Sequence, residues 1–332
     1  MATCIDTSRV EPKQTHEPDR SNPDHHGCKY VEYCRPSFCD LVSRVPLCQN
    51  HQKPKLVDEG EGGGDIWLAM VEEAKIDVKQ EPILSNYYYN SILSHKSLES
   101  ALASHLSSKL SSSILPSTTL VDLFASVLAE DGEIIEAVKK DLEAARERDP
   151  ACVSYVHCFL NFKGFLACQA HRIAHKLWSQ GRKSLALLIQ NRVSKVFAVD
   201  IHPGAKIGRG ILFDHATGVV IGETAVIGDD VSILHNVTLG GTGKESGDRH
   251  PKIGDGVLIG AGACVLGNLK IGDGARIGAG SVVLKAVPPR ATAVGNPARL
   301  IGGKGNPIKL DKLPGFTMDH TSHIHEWSDY VI

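Results

Sequence analysis

The stretch KIGDGVLIGAGACVLGNLKIGDGARIGAGSVVLK, residues 252–285, carries an aliphatic residue at every sixth position. The positions in this register are Ile253, Ile259, Val265, Ile271, Ile277 and Val283. A period of six matches neither the roughly 3.6-residue period of an α-helix nor the alternation of a strand in a hairpin. Hexapeptide repeats are typical of a parallel β-helix, and the stretch predicts that fold.

The same period extends back along the chain to about residue 199. Residues 199–303 contain 22 of the 32 glycines and one aromatic residue, Phe213. Each hexapeptide supplies a strand and a turn, glycine permits the backbone angles of a corner, and the aliphatic residue fills a narrow interior. Three hexapeptides close a triangular coil of about eighteen residues. We expect a left-handed coil, an exception to the usual right-handed crossover.

Three further segments differ in composition from the repeats. Residues 1–64 lack periodicity and predict a flexible or disordered tail. Residues 65–198 have helical periodicity and predict an all-helical domain, whereas residues 304–332 lie beyond the repeats and predict a flexible tail. Helices are predicted at about 65–81, 97–110, 117–129, 132–148, 154–180 and 183–197, the third with a Ser/Thr cap. The fold class is therefore α + β, an N-terminal all-helical domain followed by a left-handed parallel β-helix.

Composition excludes several classes of partner. The net charge of −2 gives no basic field for nucleic acid, and no apolar run reaches the roughly 18 residues that span a bilayer. Five of nine cysteines precede residue 50 without a C-x-x-C pair, which favours reduced intracellular thiols over disulfides or a zinc module. Acidic residues interrupt the N-terminal tail, so the cytosol is favoured; an organelle is the alternative if the tail is a transit peptide.

The six-residue period breaks at two polar segments. Residues 214–218 shift the register by two residues, and fourteen residues instead of twelve separate Leu239 from Ile253. The second excess lies in the polar loop at residues 240–250. Positions at which a sequence departs from its own structural pattern are expected to be functional sites.

These breaks contain the candidate chemistry. Asp200 precedes His215 by fifteen residues, close to one coil, so its carboxylate is expected beside the imidazole as the partner of a general base. Arg249 and His250 offer a cation and an imidazole to a substrate carboxylate. Cys264 is interpreted as a wall residue rather than an acyl carrier. His202 and His235 are interpreted as solvated surface groups.

Five motifs resemble those of one family. They are Asp200-Ile-His-Pro-Gly, Asp214-His-Ala-Thr-Gly218, Gly240-Gly-Thr-Gly-Lys244, Asp248-Arg-His-Pro-Lys252 and Gly295-Asn-Pro-Ala-Arg299. Together they are similar to the plant-type serine acetyltransferases over residues 65–332. The resemblance implies transfer of acetyl from acetyl-CoA to the hydroxyl of L-serine, giving O-acetyl-L-serine for cysteine synthesis.

The resemblance also implies roles for individual residues. The catalytic residues are His215 as the general base, Asp200 as its orienting partner, and His250. Asp149 and Asp214 would bind the substrate ammonium, and Arg249 with His250 its carboxylate. Acetyl-CoA, a co-substrate and not a permanent cofactor, would lie between neighbouring prisms against Gly241, Thr242, Ala261 and Ala279. No metal is expected.

The family resemblance further implies an assembly and two ligands. Members form homotrimers through their prisms and dimers of trimers through their helical domains. The C-terminal Tyr330, Val331 and Ile332 would bind O-acetylserine sulfhydrylase, forming the cysteine synthase complex. L-Cysteine is a candidate feedback inhibitor.

Three other interpretations stay open from the residues. A sugar or antibiotic acetyltransferase would share the prism, although Asp149, Arg249 and His250 favour an amino-acid acceptor. A prism carbonic anhydrase needs a close histidine pair for zinc, and no two prism histidines are nearer than thirteen residues in sequence. The third is a scaffold that only docks the sulfhydrylase.

Overall fold

The computed structural model describes residues 65–243, 246–303 and 309–320. Its helices are α1 (Ile66–Gln80), α2 (Ser85–Tyr88), α3 (Leu98–Leu110), α4 (Ser117–Glu130), α5 (Gly132–Arg148), α6 (Tyr155–Asn161), α7 (Lys163–Ser179), α8 (Lys183–Phe197) and α9 (Pro314–Thr317), with a 3₁₀ turn at Pro82–Leu84 and a π-helical turn at Tyr89–Leu93. Asp65 caps α1 by accepting from the Trp67 N–H at 2.9 Å. None of the helices described is long and apolar enough to cross a membrane.

Two helix predictions need correction. The single helix predicted over 154–180 is two helices, because the backbone of Phe162 is extended between α6 and α7. Ser154 caps α6 by accepting from the His157 N–H at 2.9 Å. The predicted Ser/Thr cap of α4 is wrong, since Ser117 is its first helical residue and Pro116 stands at the cap.

Short strands follow the helices and form three sheets. They are β1 (Asp200–Ile201), β2 (Lys206–Ile207), β3 (Leu212–Phe213), β4 (Val220–Ile221), β5 (Val226–Ile227), β6 (Ser232–Ile233), β7 (Thr238–Gly240), β8 (Lys252–Ile253), β9 (Leu258–Ile259), β10 (Cys264–Leu266), β11 (Lys270–Ile271), β12 (Arg276–Ile277), β13 (Val282–Val283), β14 (Thr292–Val294) and β15 (Arg299–Leu300). The sheet orders are β1-β4-β7-β10-β13, β2-β5-β8-β11 and β3-β6-β9-β12-β14-β15. Among the named strands of the described residues, all the pairings are parallel except β14 with β15. As far as β13, each strand from β4 onwards pairs with the strand three places before it in the chain. The three sheets are therefore the three walls of a prism.

The interior of the prism contains the period-six residues. Phe213 is also buried, at the strand end that precedes the first break of the period. Buried aliphatic side chains of this size are worth about 1.5–3 kcal/mol each relative to exposure. The buried period-six residues are Ile221, Ile227, Ile233, Leu239, Ile253, Ile259, Val265, Ile271, Ile277 and Val283.

The coils differ in length where the sequence breaks its period. Along one wall, Ile201 pairs with Ile221, Ile221 with Leu239, Leu239 with Val265 and Val265 with Val283. The coils are therefore 20, 18, 26 and 18 residues long, by subtraction of these numbers. The first coil has the predicted two additional residues. The third contains eight additional residues (26 minus 18), not two as the sequence suggested, because β7 and β8 are consecutive strands of one coil.

The helical segment covers the open edge of the first coil. Arg172 of α7 donates to the carbonyl oxygens of Ile207 (3.2 Å) and Gly208 (2.7 Å). Asp141 of α5 accepts from the Ile211 N–H at 2.8 Å and pairs with Arg172 at 2.7 Å. Strand β2 ends its sheet, so these side chains satisfy backbone groups that no further strand pairs.

Residues 309–320 lie against the prism, whereas the sequence predicts a flexible tail there. The Gly315 N–H donates to the Gly256 carbonyl at 3.0 Å. The Phe316 ring covers the guanidinium of Arg148, with 4.6 Å from its carbon to the ring centroid. The predicted docking residues Tyr330, Val331 and Ile332 lie outside the described residues, as does the predicted N-terminal tail 1–64.

Candidate active site

The turn at residues 214–218 has a strained backbone. His215 and Ala216 have φ angles of 55° and 56°, both in the left-handed region. Two short backbone hydrogen bonds close the turn, from Ala216 N–H to Asp214 O (2.6 Å) and from Thr217 N–H to His215 O (2.7 Å). Left-handed non-glycine residues cost about 1–3 kcal/mol each and cluster at functional sites. This turn leaves the His215 side chain 77% exposed and buries Ala216.

Helix α7 packs against this turn at its first residues. A Cβ at Gly164 would lie 2.1 Å from the Phe213 carbonyl oxygen and 3.0 Å from Ala216 Cβ, so only glycine allows this approach. The Lys163 ammonium donates to the Thr217 hydroxyl. The helical segment therefore supports the strained backbone of His215.

Asp200 and His215 lie on two segments of the chain that a backbone hydrogen bond joins. The Gly218 N–H donates to the Ala198 carbonyl at 2.8 Å, which joins the turn to the chain just before β1. The Asp200 carboxylate instead accepts from the Gln190 side chain at 2.7 Å. Over the ranges that the structure describes, no hydrogen bond or ion pair joins Asp200 to His215, and their pairing stays a prediction.

Other ionisable groups surround His215. Its Nε2 lies 3.8 Å from an Asp214 carboxylate oxygen, and its ring centroid is 5.9 Å from that of His235. Nδ1 of His235 is buried and has no hydrogen-bond partner in the described part of the chain. Burial lowers the pKa of His320, and the Asp214 carboxylate acts on this pKa in the opposite direction. Residues 309–320 therefore bring the His320 imidazole close enough to Asp214, a predicted ligand of the substrate ammonium, for their charges to interact.

The predicted carboxylate-binding pair, Arg249 and His250, lies just before β8. Arg249 Nη2 bonds to a Glu223 carboxylate oxygen at 2.9 Å, and this bond lowers the pKa of Glu223. The His250 ring occupies the space of a missing side chain, since a Cβ at Gly222 would lie 2.0 Å from its Nε2. Burial, with the Arg249 and Lys252 charges, lowers the pKa of His250. His250 is therefore predominantly neutral near pH 7.

Asp149 caps the C-terminal end of helix α5 and begins a tight turn. Its carboxylate accepts from the Ala151 N–H at 2.8 Å, and its carbonyl accepts from the Cys152 N–H at 3.0 Å. The preceding Arg148 is buried and pairs with Asp230 at 2.9 Å, which anchors this helix end to the prism. Among the residues that the structure describes, no hydrogen bond joins Asp149 to Asp214 within one protomer.

The predicted acetyl-CoA residues fall at two places on the prism. Ala261 and Ala279 stack at one corner of successive coils, where the Gly280 N–H donates to the Ala261 carbonyl at 2.8 Å. Gly241 and Thr242 begin the inserted loop, and both retain solvent exposure. None of the four lines the cavity of about 950 Å³ that lies between α5, α7 and the corner at residues 207–209. Within the described ranges, no group of three or more His, Cys, Asp or Glu residues could hold a metal ion.

His202 and His235, interpreted from the sequence as solvated surface groups, are both half-buried. His202 accepts from the Gly204 N–H at 3.0 Å and contacts the Trp178 ring edge-on at 4.9 Å between centroids. Glu223, which binds Arg249, was not predicted from the sequence. A 26-residue coil separates Glu223 from Arg249, and this spacing is recognisable only once the insertion length is known.

Comparisons with known proteins agree with this architecture. Residues 66–170 match the family model described as "Serine acetyltransferase, N-terminal", and residues 250–285 match "Bacterial transferase hexapeptide (six repeats)". A protein of Arabidopsis thaliana named "Serine acetyltransferase 1, chloroplastic" is 67% identical over 332 residues, the whole of both chains. This chain belongs to the serine acetyltransferase family.

A second relative by sequence and a solved structure are also similar to this member of the serine acetyltransferase family. "Serine acetyltransferase 3, mitochondrial" of Arabidopsis thaliana is 64% identical over 336 residues, covering 100% of this chain and 86% of that protein. The structure named "Soybean Serine Acetyltransferase Complexed with Serine" has 66% identity and a TM-score of 0.70, covering 71% of this chain and 97% of that one. The family and the structural likeness confirm the predicted fold class, including the left-handed β-helix, and identify a transferase.

Proposed function

We propose that this protein is a serine O-acetyltransferase that transfers acetyl from acetyl-CoA to the hydroxyl of L-serine, giving O-acetyl-L-serine and CoA. The reaction is the first step of cysteine synthesis from serine. The observation that carries the proposal is the strained turn that holds His215 exposed beside Asp214. Family membership supports the choice of serine as acceptor.

The reaction proceeds by direct transfer. His215 accepts the serine hydroxyl proton as the serine oxygen attacks the thioester carbonyl carbon. The carbon–sulfur bond breaks, and His215 returns the proton to the departing CoA thiolate. A positioned general base contributes about 10²- to 10⁴-fold in rate. Asp200 orients the imidazole, and its adjacency to the turn through the Ala198–Gly218 hydrogen bond supports this role.

The substrate's charges match the predicted binding residues. Asp149 and Asp214 bind the ammonium, and Arg249 and His250 bind the carboxylate. Glu223 accepts from the Arg249 guanidinium at 2.9 Å. The substrate carboxylate therefore shares or replaces that contact when it binds.

The site is completed between protomers of a homotrimer, with acetyl-CoA in the groove beside Gly241, Thr242, Ala261 and Ala279. The 77% exposure of His215 in the single chain supports this arrangement. Two trimers associate through the N-terminal helices, whose exposed apolar side chains include Leu68, Ile76, Ile83 and Tyr89. Light scattering should give a mass of about six times 35.7 kDa.

The experiment that tests the function is thiol release from acetyl-CoA by purified protein, with and without L-serine. We expect release only with serine, and O-acetyl-L-serine as the product by mass spectrometry. Release with sugars but not serine would support a sugar acetyltransferase instead. Absence of turnover together with sulfhydrylase binding would support the scaffold interpretation.

The names of two relatives change the proposed cellular compartment, for which the sequence alone favours the cytosol. Two relatives that match over the whole chain are named chloroplastic and mitochondrial, which supports the organellar alternative over the cytosol. We propose that residues 1–64 contain a transit peptide. These residues fused to a fluorescent protein should direct it to plastids or mitochondria; diffuse cytosolic fluorescence would refute this.

The C-terminal residues Tyr330, Val331 and Ile332 dock O-acetylserine sulfhydrylase. Deleting Ile332 should abolish the complex in size-exclusion chromatography and leave acetyl transfer intact. L-Cysteine, which differs from serine by a thiol, should compete with serine at the same site.

A further inference from the structure

Thr224, at the corner after β4, contacts both members of the Arg249–His250 pair. Its hydroxyl accepts from the backbone N–H groups of Arg249 (3.0 Å) and His250 (3.1 Å). The same hydroxyl lies 2.9 Å from His250 Nδ1, and the Thr224 backbone N–H donates to that nitrogen at 3.1 Å. One threonine therefore holds both the backbone of the pair and the imidazole ring.

These contacts determine the tautomer of His250. A backbone N–H can only donate, so Nδ1 of His250 accepts and carries no proton in the neutral ring. The proton of the neutral imidazole is therefore on Nε2. The structure gives this Nε2–H no protein acceptor among the residues it describes. The residue that carries this donor directly follows Arg249 in the chain.

A lysine and a glycine fix the geometry further. The Lys252 ammonium donates to the carbonyl oxygens of Thr224 and His250, both at 2.8 Å, and to the Asp248 carboxylate at 2.6 Å. Gly222 leaves the space in which the His250 ring lies. The orientation of the ring is therefore set by the protein before any substrate arrives.

We propose that Thr224 is a positioning residue that presents the Nε2–H of His250 to the carboxylate of the amino-acid substrate. The inference rests on the proposed function and adds a residue that does not itself touch the substrate. A hydrogen bond from a fixed neutral imidazole complements the Arg249 cation and requires no proton uptake. Thr224 thereby favours acceptors with a free carboxylate.

The test compares two acceptors in three variants. L-Serine and L-serinamide differ in the carboxylate, and kcat/KM for each is measured by thiol release. T224V removes the hydroxyl at nearly constant volume, T224S retains it, and T238V is a matched control because the structure gives the Thr238 hydroxyl no hydrogen bond among its described residues. We expect T224V to lower kcat/KM for serine by about 10- to 100-fold, mainly through KM, with little change for serinamide. T224S and T238V should retain the wild-type preference.

A second measurement uses the wild-type protein alone and does not depend on variant folding. Nitrogen-15 NMR of histidine-labelled enzyme, with His250 assigned by substitution, should show Nε2 protonated and Nδ1 unprotonated at neutral pH. The opposite tautomer would overturn the proposal, as would an unchanged serine preference in a folded T224V. Wild-type protein that releases no thiol with serine would instead refute the proposed function, while the NMR result would still report on the Thr224–His250 contact.

Discussion

Alanine at Gly222 is a direct perturbation of the predicted carboxylate site. The added Cβ would lie 2.0 Å from both Cδ2 and Nε2 of His250. Carbon atoms in contact are separated by about 3.5 Å, so the ring has to move by about 1.5 Å. A misplacement of about 1 Å at a reacting centre can cost about 100-fold in rate. We therefore expect G222A to lower kcat/KM for L-serine by about 100-fold, or about 2.7 kcal/mol of transition-state stabilisation.

The assay is thiol release at varied L-serine, with G132A as the matched control. A Cβ at Gly132 meets nothing within 4 Å, so G132A should retain wild-type kinetics and foldedness. In an H250A background, G222A should add little further loss, because the ring it displaces is absent. A folded G222A with kcat/KM within about threefold of wild type would refute the proposed role of the His250 position.

Three further predictions concern binding and stability. R249A should raise KM for L-serine about 10-fold or more with a smaller change in kcat, and an unchanged KM would exclude Arg249 as a carboxylate ligand. D141N leaves Arg172 buried without its counter-charge and should cost about 3–5 kcal/mol in denaturant unfolding, whereas E72Q, which breaks an exposed pair, should cost less than about 1 kcal/mol. Burial lowers the pKa of His105 to about 4. The contribution of neutral His105 to the free energy of unfolding is therefore fully present above the ordinary histidine pKa near 6.5. It falls by about 3 kcal/mol as the pH decreases towards 4, because the unfolded chain then binds the proton that the buried ring does not. H105Q should show a smaller loss between pH 7 and 4.5, and an equal loss would assign the pH dependence to other groups.

The repeat region was predictable because its geometry depends on local rules. A six-residue period requires an inward aliphatic residue and a permissive corner, and both are visible in the sequence from Ile221 to Val283. The loop length was not predictable from the same rule, since counting from Leu239 to Ile253 gave two additional residues where pairing gives eight. A period identifies equivalent positions but not the number of corners that an insertion spans.

The site was only partly predictable for the same physical reason. The two-residue slip located His215, yet the left-handed backbone and the close approach of Gly164 depend on tertiary packing. Thr224 lies 26 residues before His250, so their contact depends on the insertion length. The ordered path of residues 309–320 likewise depends on contacts with distant coils, such as the hydrogen bond from Gly315 to Gly256.

The central claim is that His215 removes the hydroxyl proton of serine in a direct transfer from acetyl-CoA. It is tested most directly by measuring O-acetyl-L-serine formation by wild type and H215A, with acetyl-CoA binding followed by calorimetry in the same preparations. The account predicts a loss of about 10²-fold or more in product formation with acetyl-CoA affinity unchanged. Product formed by H215A at the wild-type rate would contradict it.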